Sequence, residues 1–193
     1  ARVREHPARF KVVACGRRWG KTELGKMSLM EQAIGYQMRG WWLAPTYQMS
    51  NRLWMDLKKS IKKETGITIS ESERRIDYDN GGMIAVRSTH NPDNLRGEGL
   101  DLVVLDEAAF MHPRVWSEVV RPMLVTTRGS AIFLSTPFGR NWFYDLFRIG
   151  LDPEEPEWQS FHYPTSSNPL ISAEELEGIR RITSAHVWQT EYE

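Results

Sequence analysis

At 193 residues the chain has the length of one substantial α/β domain with room for a small appendage. Lysine plus arginine and aspartate plus glutamate balance at 25 each, which argues against a protein that coats nucleic acid with bulk positive charge and leaves only a local basic patch open. The single cysteine, Cys15, allows no intrachain disulfide and no multi-cysteine zinc site, and no apolar run approaches the roughly 20 residues of a membrane span.

Phe10 to Ala14 is a short apolar run that predicts a buried strand, followed by a basic, glycine-containing loop. From Thr22 to about Met38, Leu24, Met27, Met30 and Ile34 recur at helical spacing. Trp41 to Ala44 predicts a second strand, closed by Pro45. Met49 to about Glu64 predicts a helix with Leu53, Leu57 and Ile61 on one face and Lys58, Lys59, Lys62 and Lys63 elsewhere. Ile67 to Ile69, Arg75 to Tyr78 and Met83 to Arg87 look like short strands, the last two joined through Asn80-Gly81-Gly82. Leu102 to Leu105 is an unalternating apolar run, as a central parallel strand requires. A helix from Pro113 to about Val125, a buried strand over Ala131 to Leu134 and a helix over Asn141 to Ile149 follow. Strands alternating with helices predict a mostly parallel sheet flanked by helices. The acidic, proline-bearing connector at 152–156 marks a change of texture, and Ser172 with Glu175 forms a capping box that opens a helix. The expected organisation is a core over 1–163 and the start of a small helical lid or linker over 164–193. Both ends read as cuts, so a fragment of a longer chain is expected.

The chemistry concentrates in two places. Cys15-Gly16-Arg17-Arg18-Trp19-Gly20-Lys21-Thr22 lies between a predicted strand and a predicted helix and matches the phosphate-loop pattern except that Cys15 takes the first glycine position. Gly20 lets backbone N–H groups approach phosphates at a helix start, Lys21 can reach the β- and γ-phosphates, and the Thr22 hydroxyl can ligate Mg²⁺. Gly16 can supply flexibility, and Arg17 and Arg18 can add charge. The second place is the end of the strand before Asp106 and Glu107, 84 residues beyond Thr22. Asp106 is the natural partner of Mg²⁺ through water, and Glu107 is placed to orient and deprotonate an attacking water. Ser135 and Thr136, at the end of the next strand, are candidate γ-phosphate sensors. Ala44 to Gln48 closes the second strand, where a nucleic acid or a base can be contacted, and His6 to Arg9 are candidates for the adenine by position.

Together these residues resemble the ATPase domain of the large terminase subunit, the DNA-packaging motor of tailed bacteriophages, a P-loop NTPase of the ASCE (RecA-like) kind. The resemblance rests on the loop 16–22, on Leu95-Arg96-Gly97, on Val104 to Ala108, on Ser135-Thr136-Pro137, and on Asn168-Pro169-Leu170 with Trp188 to Tyr192. It implies an ATPase that moves double-stranded DNA into a procapsid as a homo-oligomeric ring on a portal protein, with a small terminase subunit as partner, in the cytoplasm of the infected host and away from any membrane. It also implies that Arg96 is an arginine finger for a neighbour's ATP. The nuclease domain of such subunits has no room in this chain, so no nuclease activity is expected here. The alternatives are a superfamily-2-type helicase or other DNA translocase, and a nucleotide-binding assembly subunit that does not hydrolyse ATP. Glu107 argues against the last, because a pure binder needs no water-activating carboxylate.

Overall fold

The apolar runs become the middle of one sheet in the computed structural model, which describes residues 2–61, 66–95, 97 and 99–193. A first turn, α1 (Arg2–Glu5), leads into β1 (Phe10–Cys15), α2 (Lys21–Tyr36), β2 (Arg39–Ala44) and α3 (Tyr47–Ser60). Then come β3 (Ile67–Ser70), β4 (Arg75–Tyr78), β5 (Met83–Ser88), β6 (Leu102–Asp106), the short α4 (Arg121–Met123) and β7 (Ser130–Ser135). The chain continues through α5 (Trp142–Ile149), β8 (Trp158–Tyr163), α6 (Ala173–Ile182) and α7 (Ala185–Glu191).

The strand order is β3-β4-β5-β2-β6-β7-β1-β8. From β5 to β8 every pairing is parallel, and β4 and β3 extend the sheet antiparallel on the β5 side. This is the mostly parallel α/β sheet that the alternation of elements predicts. Both faces of the parallel strands are covered, which is why the runs do not alternate. Val12, Leu43, Val103, Leu105 and Phe133 face Trp116, Val119, Leu124 and Phe143 on one side. Val13, Trp42, Val104 and Leu134 face Leu29, Leu53 and Leu57 on the other. α2 lies close on the sheet at Gly25, where a Cβ would lie 2.8 Å from Val104 Cγ1 and 3.0 Å from Leu134 Cδ1. That close approach sets the first turn of α2 above the ends of β6 and β7.

Two expectations change. The helix expected over Pro113 to Val125 is present, but it is π-helical over Val115–Val120, with the three residues of α4 directly after it. The Arg121 amide reaches back to the Trp116 carbonyl, because Pro122 has no N–H with which to continue an α-helical ladder to Glu118. β8 was not expected. Its residues, Trp158 to Tyr163, mix large rings with Gln159, Ser160 and His162, since an edge strand needs burial on fewer sides. Residues 62–65, where the expected end of the second long helix and both Lys62 and Lys63 fall, lie outside the described residues. α6 and α7 are capped by the Ser172 and Ser184 side chains and bury no residue.

Candidate functional site

β1 ends at the fully buried Cys15, and the chain turns through Gly16 to Gly20 before α2 begins. Gly20 has φ 108° and Arg18 φ 60°, left-handed conformations that fold the loop back over the strand end. No side chain caps the first turn of α2, so its N–H groups and its positive dipole end face the loop. Lys21 is buried and its Nζ donates to the Cys15 and Gly16 carbonyls at 3.3 Å each, holding the ammonium inside the loop. Burial pushes the Cys15 thiol up to about 12, so it sits there as a neutral, apolar group.

Asp106 is the last residue of β6, in register with Leu134 of β7. Its Oδ2 accepts from Thr22 Oγ1 at 3.5 Å, and its Oδ1 accepts from the Glu107 amide at 3.2 Å. Burial first, then the neighbouring Glu107 charge, raises its carboxyl to about 7 against the opposing influence of Lys21. Glu107 adopts φ 55°, ψ 45°. Regular strand alternation would send the two carboxylates to opposite faces, and this left-handed turn is what re-aims Glu107 toward the loop side. Such a conformation costs about 1–2 kcal/mol in a residue with a Cβ and persists where neighbours hold it. The Phe110 amide donates to the Glu107 carbonyl at 3.0 Å, Ser135 Oγ accepts from the Ala109 amide at 3.3 Å, and Asn141 Nδ2 donates to the Ala109 carbonyl at 3.1 Å.

The structure therefore brings Cys15 to Thr22, Asp106, Glu107 and Ser135 to one edge of the sheet. Thr136 is buried beside them. Arg17, expected to face phosphates, pairs its Nε with Glu191 Oε2 at 2.5 Å, and this bond is the first cause of its raised basicity, to which the Glu107 charge also contributes. Arg96 lies outside the described residues; before it Leu95 is buried, and after it Gly97 has φ 143°. His6 to Arg9 precede β1 and so stand at the far end of that strand from the loop, about 20 Å away at the usual rise per residue, which removes them as adenine contacts. Of the lysine cluster, Lys58 is engaged with Glu71 and lies over the Trp54 ring. Thr46 caps α3 through a bond from the Met49 amide, while Ala44, Pro45, Met49, Leu53 and Arg52 close a pocket of about 270 Å³ against Thr22, Asp106 and Glu107.

Among the described residues no group of three or more His, Cys, Asp or Glu is arranged to hold a metal ion. Thr22 and Asp106 nevertheless offer adjacent hard oxygen donors. That set fits Mg²⁺, which keeps several waters and takes the remainder of its shell from a phosphate.

The residues that reading the sequence missed lie after β8. Thr165 and Asn168 donate to loop carbonyls, and the Glu191 carbonyl accepts from the Arg17 amide. Asn168-Pro169-Leu170 and Trp188 to Tyr192, which holds Glu191, gave a signal only through the resemblance, and Thr165 gave none.

The comparisons with known proteins bear on the family and the fold. The family model described as terminase large subunit, T4likevirus-type, N-terminal, matches residues 13–191. The large terminase subunit of Escherichia phage T5 is 31% identical over 98% of this chain and 44% of its own length. That of Thermus phage G20c is 27% identical over 83% of this chain and 40% of its length, so the chain spans less than half of these relatives. The large terminase ATPase domain of Thermus phage P74-26 superposes with a TM-score of 0.83 at 26% identity, covering 99% of this chain and 90% of that one. The large terminase of another thermophilic bacteriophage, in complex with ADP, has the same fold, at a TM-score of 0.78 and 17% identity over 96% of this chain and 47% of that one.

Proposed function

The chain belongs to the large terminase subunit family, and from that premise we propose that it hydrolyses ATP with Mg²⁺ and that the hydrolysis drives double-stranded DNA into a procapsid. The observation that carries the reading is the meeting of Thr22 and Asp106 at 3.5 Å beneath the uncapped start of α2, with Glu107 turned toward them. The first-turn amides of α2 and the Lys21 ammonium receive the β- and γ-phosphates. Thr22 and Asp106 would hold Mg²⁺, and the ion would supply charge that offsets the phosphates. Glu107 takes the proton of the attacking water. The pocket that Glu107 shares with Pro45 and Arg52, about 270 Å³, has room for that water.

Ser135 and Thr136 connect this site to the end of β7, and residues 164–193 act as the start of a lid. Arg96 serves a neighbour's site in a homo-oligomeric ring, which rests on a portal protein at the procapsid vertex in the host cytoplasm and works with a small terminase subunit. What supports these partners is family membership together with the names of the relatives, which are large terminases and an ATPase domain. An assay of phosphate release with and without double-stranded DNA and Mg²⁺ tests the reading. Turnover that needs Mg²⁺ is the expected result, and binding of ATP without turnover even under conditions that assemble rings would make the chain a non-hydrolysing subunit instead.

A further inference from the structure

The phosphate loop is unusual in its make-up: a buried cysteine at the first glycine position and Arg17-Arg18-Trp19 where small residues would move most freely. Something outside the loop must fix its shape, and four contacts do so in order. The Gly16 amide donates to the Tyr163 carbonyl at 3.0 Å. Thr165 Oγ1 donates to the Arg17 carbonyl at 2.8 Å. Asn168 Nδ2 donates to the Arg18 carbonyl at 2.6 Å. The Trp19 ring stacks on Tyr163 at 4.5 Å and 12°. Thr165 is 2% exposed, and a Cβ on Gly16 would lie 2.3 Å from its hydroxyl oxygen, so the loop is pressed against this segment without slack. Asn168 is itself fixed, because its Oδ1 accepts from the Leu170 amide at 3.0 Å.

We infer that Thr165 and Asn168 are positioning residues for nucleotide binding, because their side chains hold the Arg17 and Arg18 carbonyls and thereby keep the phosphate loop in its anion-receiving shape. The Arg17 amide donates to the Glu191 carbonyl and the Trp19 amide to the Gly16 carbonyl, so the backbone on either side of these two carbonyls is held as well. Arg18 sits at φ 60° without the freedom of glycine, and the bond from Asn168 offsets that strain. Neither side chain needs to touch the nucleotide. The inference rests on the proposed ATPase function and adds two residues to its machinery.

The test compares MgADP affinity by calorimetry, steady-state kcat and KM for ATP, unliganded melting temperature, and amide hydrogen exchange across residues 16–20. The variants are Thr165→Val, Asn168→Ala, their combination, Thr165→Ser and Lys21→Ala. Removing each donor is expected to weaken MgADP about three- to tenfold, the range of one net hydrogen bond, and to speed exchange in the loop. The unliganded melting temperature stays within a degree or two, and Thr165→Ser, which keeps the hydroxyl, recovers what Thr165→Val loses. Affinity and loop exchange unchanged in both single variants, while Lys21→Ala loses binding, would overturn the inference and leave the ATPase reading standing. A loss of affinity matched by an equal loss of unliganded stability overturns it as well, in favour of a plain folding role. If the wild type binds no nucleotide, both readings fall together.

Discussion

Ser135 at the end of β7 accepts a hydrogen bond from the Ala109 amide at 3.3 Å, and Ala109 lies two residues beyond Glu107. The end of one strand thus holds the turn that re-aims the carboxylate at the end of the next. Ser135 is fully buried, which shields this bond from water. Ser135→Ala leaves the Ala109 N–H without a partner in the interior, at a cost of about 1–3 kcal/mol. The expected outcome is a lower kcat with a much smaller change in nucleotide affinity, and an unchanged ratio of ATP to ADP affinity. A selective loss of ATP over ADP affinity would assign Ser135 to γ-phosphate sensing instead.

Lys21→Ala removes the ammonium that the Cys15 and Gly16 carbonyls hold inside the loop. A charge aimed at phosphoryl oxygens in a site shielded from water gives a large rate effect, so kcat/KM should fall on the order of 10³-fold. Near-normal hydrolysis by this variant would remove the phosphate-loop assignment.

Glu107→Gln keeps the shape of the side chain and its left-handed backbone, and it loses the base. ATP affinity should stay close to wild type while turnover drops by about 10²–10⁴-fold. Asp106→Ala should differ by shifting the Mg²⁺ concentration needed for half-maximal rate upward, since it removes one of the two adjacent oxygen donors proposed to hold the cation. A variant of Glu107 whose affinity collapses together with its rate would mark the residue as structural.

How much of this was legible follows from what each signal depends on. The parallel strands were legible because burial on both faces demands continuous apolar runs such as Leu102 to Leu105, and the loop because its chemistry fixes residue types at fixed spacing. The position of Glu107 was legible, whereas the left-handed turn that aims it depends on Ser135 and Asn141, which lie 28 and 34 residues further along. β8 was not legible, because an edge strand tolerates Gln159 and His162 within it. The tie between the loop and Thr165 or Asn168 was not legible, for the same reason that makes these residues informative. Their partners are the carbonyls of Arg17 and Arg18, and a contact with a backbone carbonyl places no demand on the identity of the residue that carries it.

The Cys15 thiol gives a pH dependence with a definite sign. Its folded value, about 12, stands above the ordinary value of 9.0, so the folded state holds the proton more tightly than the unfolded chain. The associated stability is fully present below pH 9 and is lost as the pH rises from 9 toward 12. The loss approaches about 1.4 kcal/mol per pH unit within that window. Other groups titrate there too, so the measurement is a difference: urea midpoints at about pH 8 and about pH 10.5, on either side of the ordinary thiol value, for wild type and Cys15→Ala. Wild type should lose more than the variant over this interval, and its thiol should resist alkylation at the lower pH until the protein is unfolded. Equal losses in the two proteins would show that burial does not set the thiol's proton affinity.

Arg96 carries the prediction with the most distant consequence, that it completes a neighbour's site. The buried Leu95 anchors the chain on one side of it and Gly97, at φ 143°, lets the backbone leave in a direction closed to most residues. The residue also precedes Asp106 by 10 positions, so its loop leads directly into β6. A finger supplied by an adjacent subunit stabilises charge on the transferring phosphoryl group and can be worth about 10³–10⁵-fold. The protein should then hydrolyse ATP poorly while monomeric and faster on assembly. Mixing two inactive variants, Arg96→Ala and Glu107→Gln, under conditions that form rings creates some interfaces where an intact Arg96 meets an intact Glu107. Activity should partly return in proportion to those interfaces. If mixed rings form, as subunit exchange of labelled chains would establish, and the mixture stays as inactive as its parents, Arg96 acts within its own subunit or only holds its loop together.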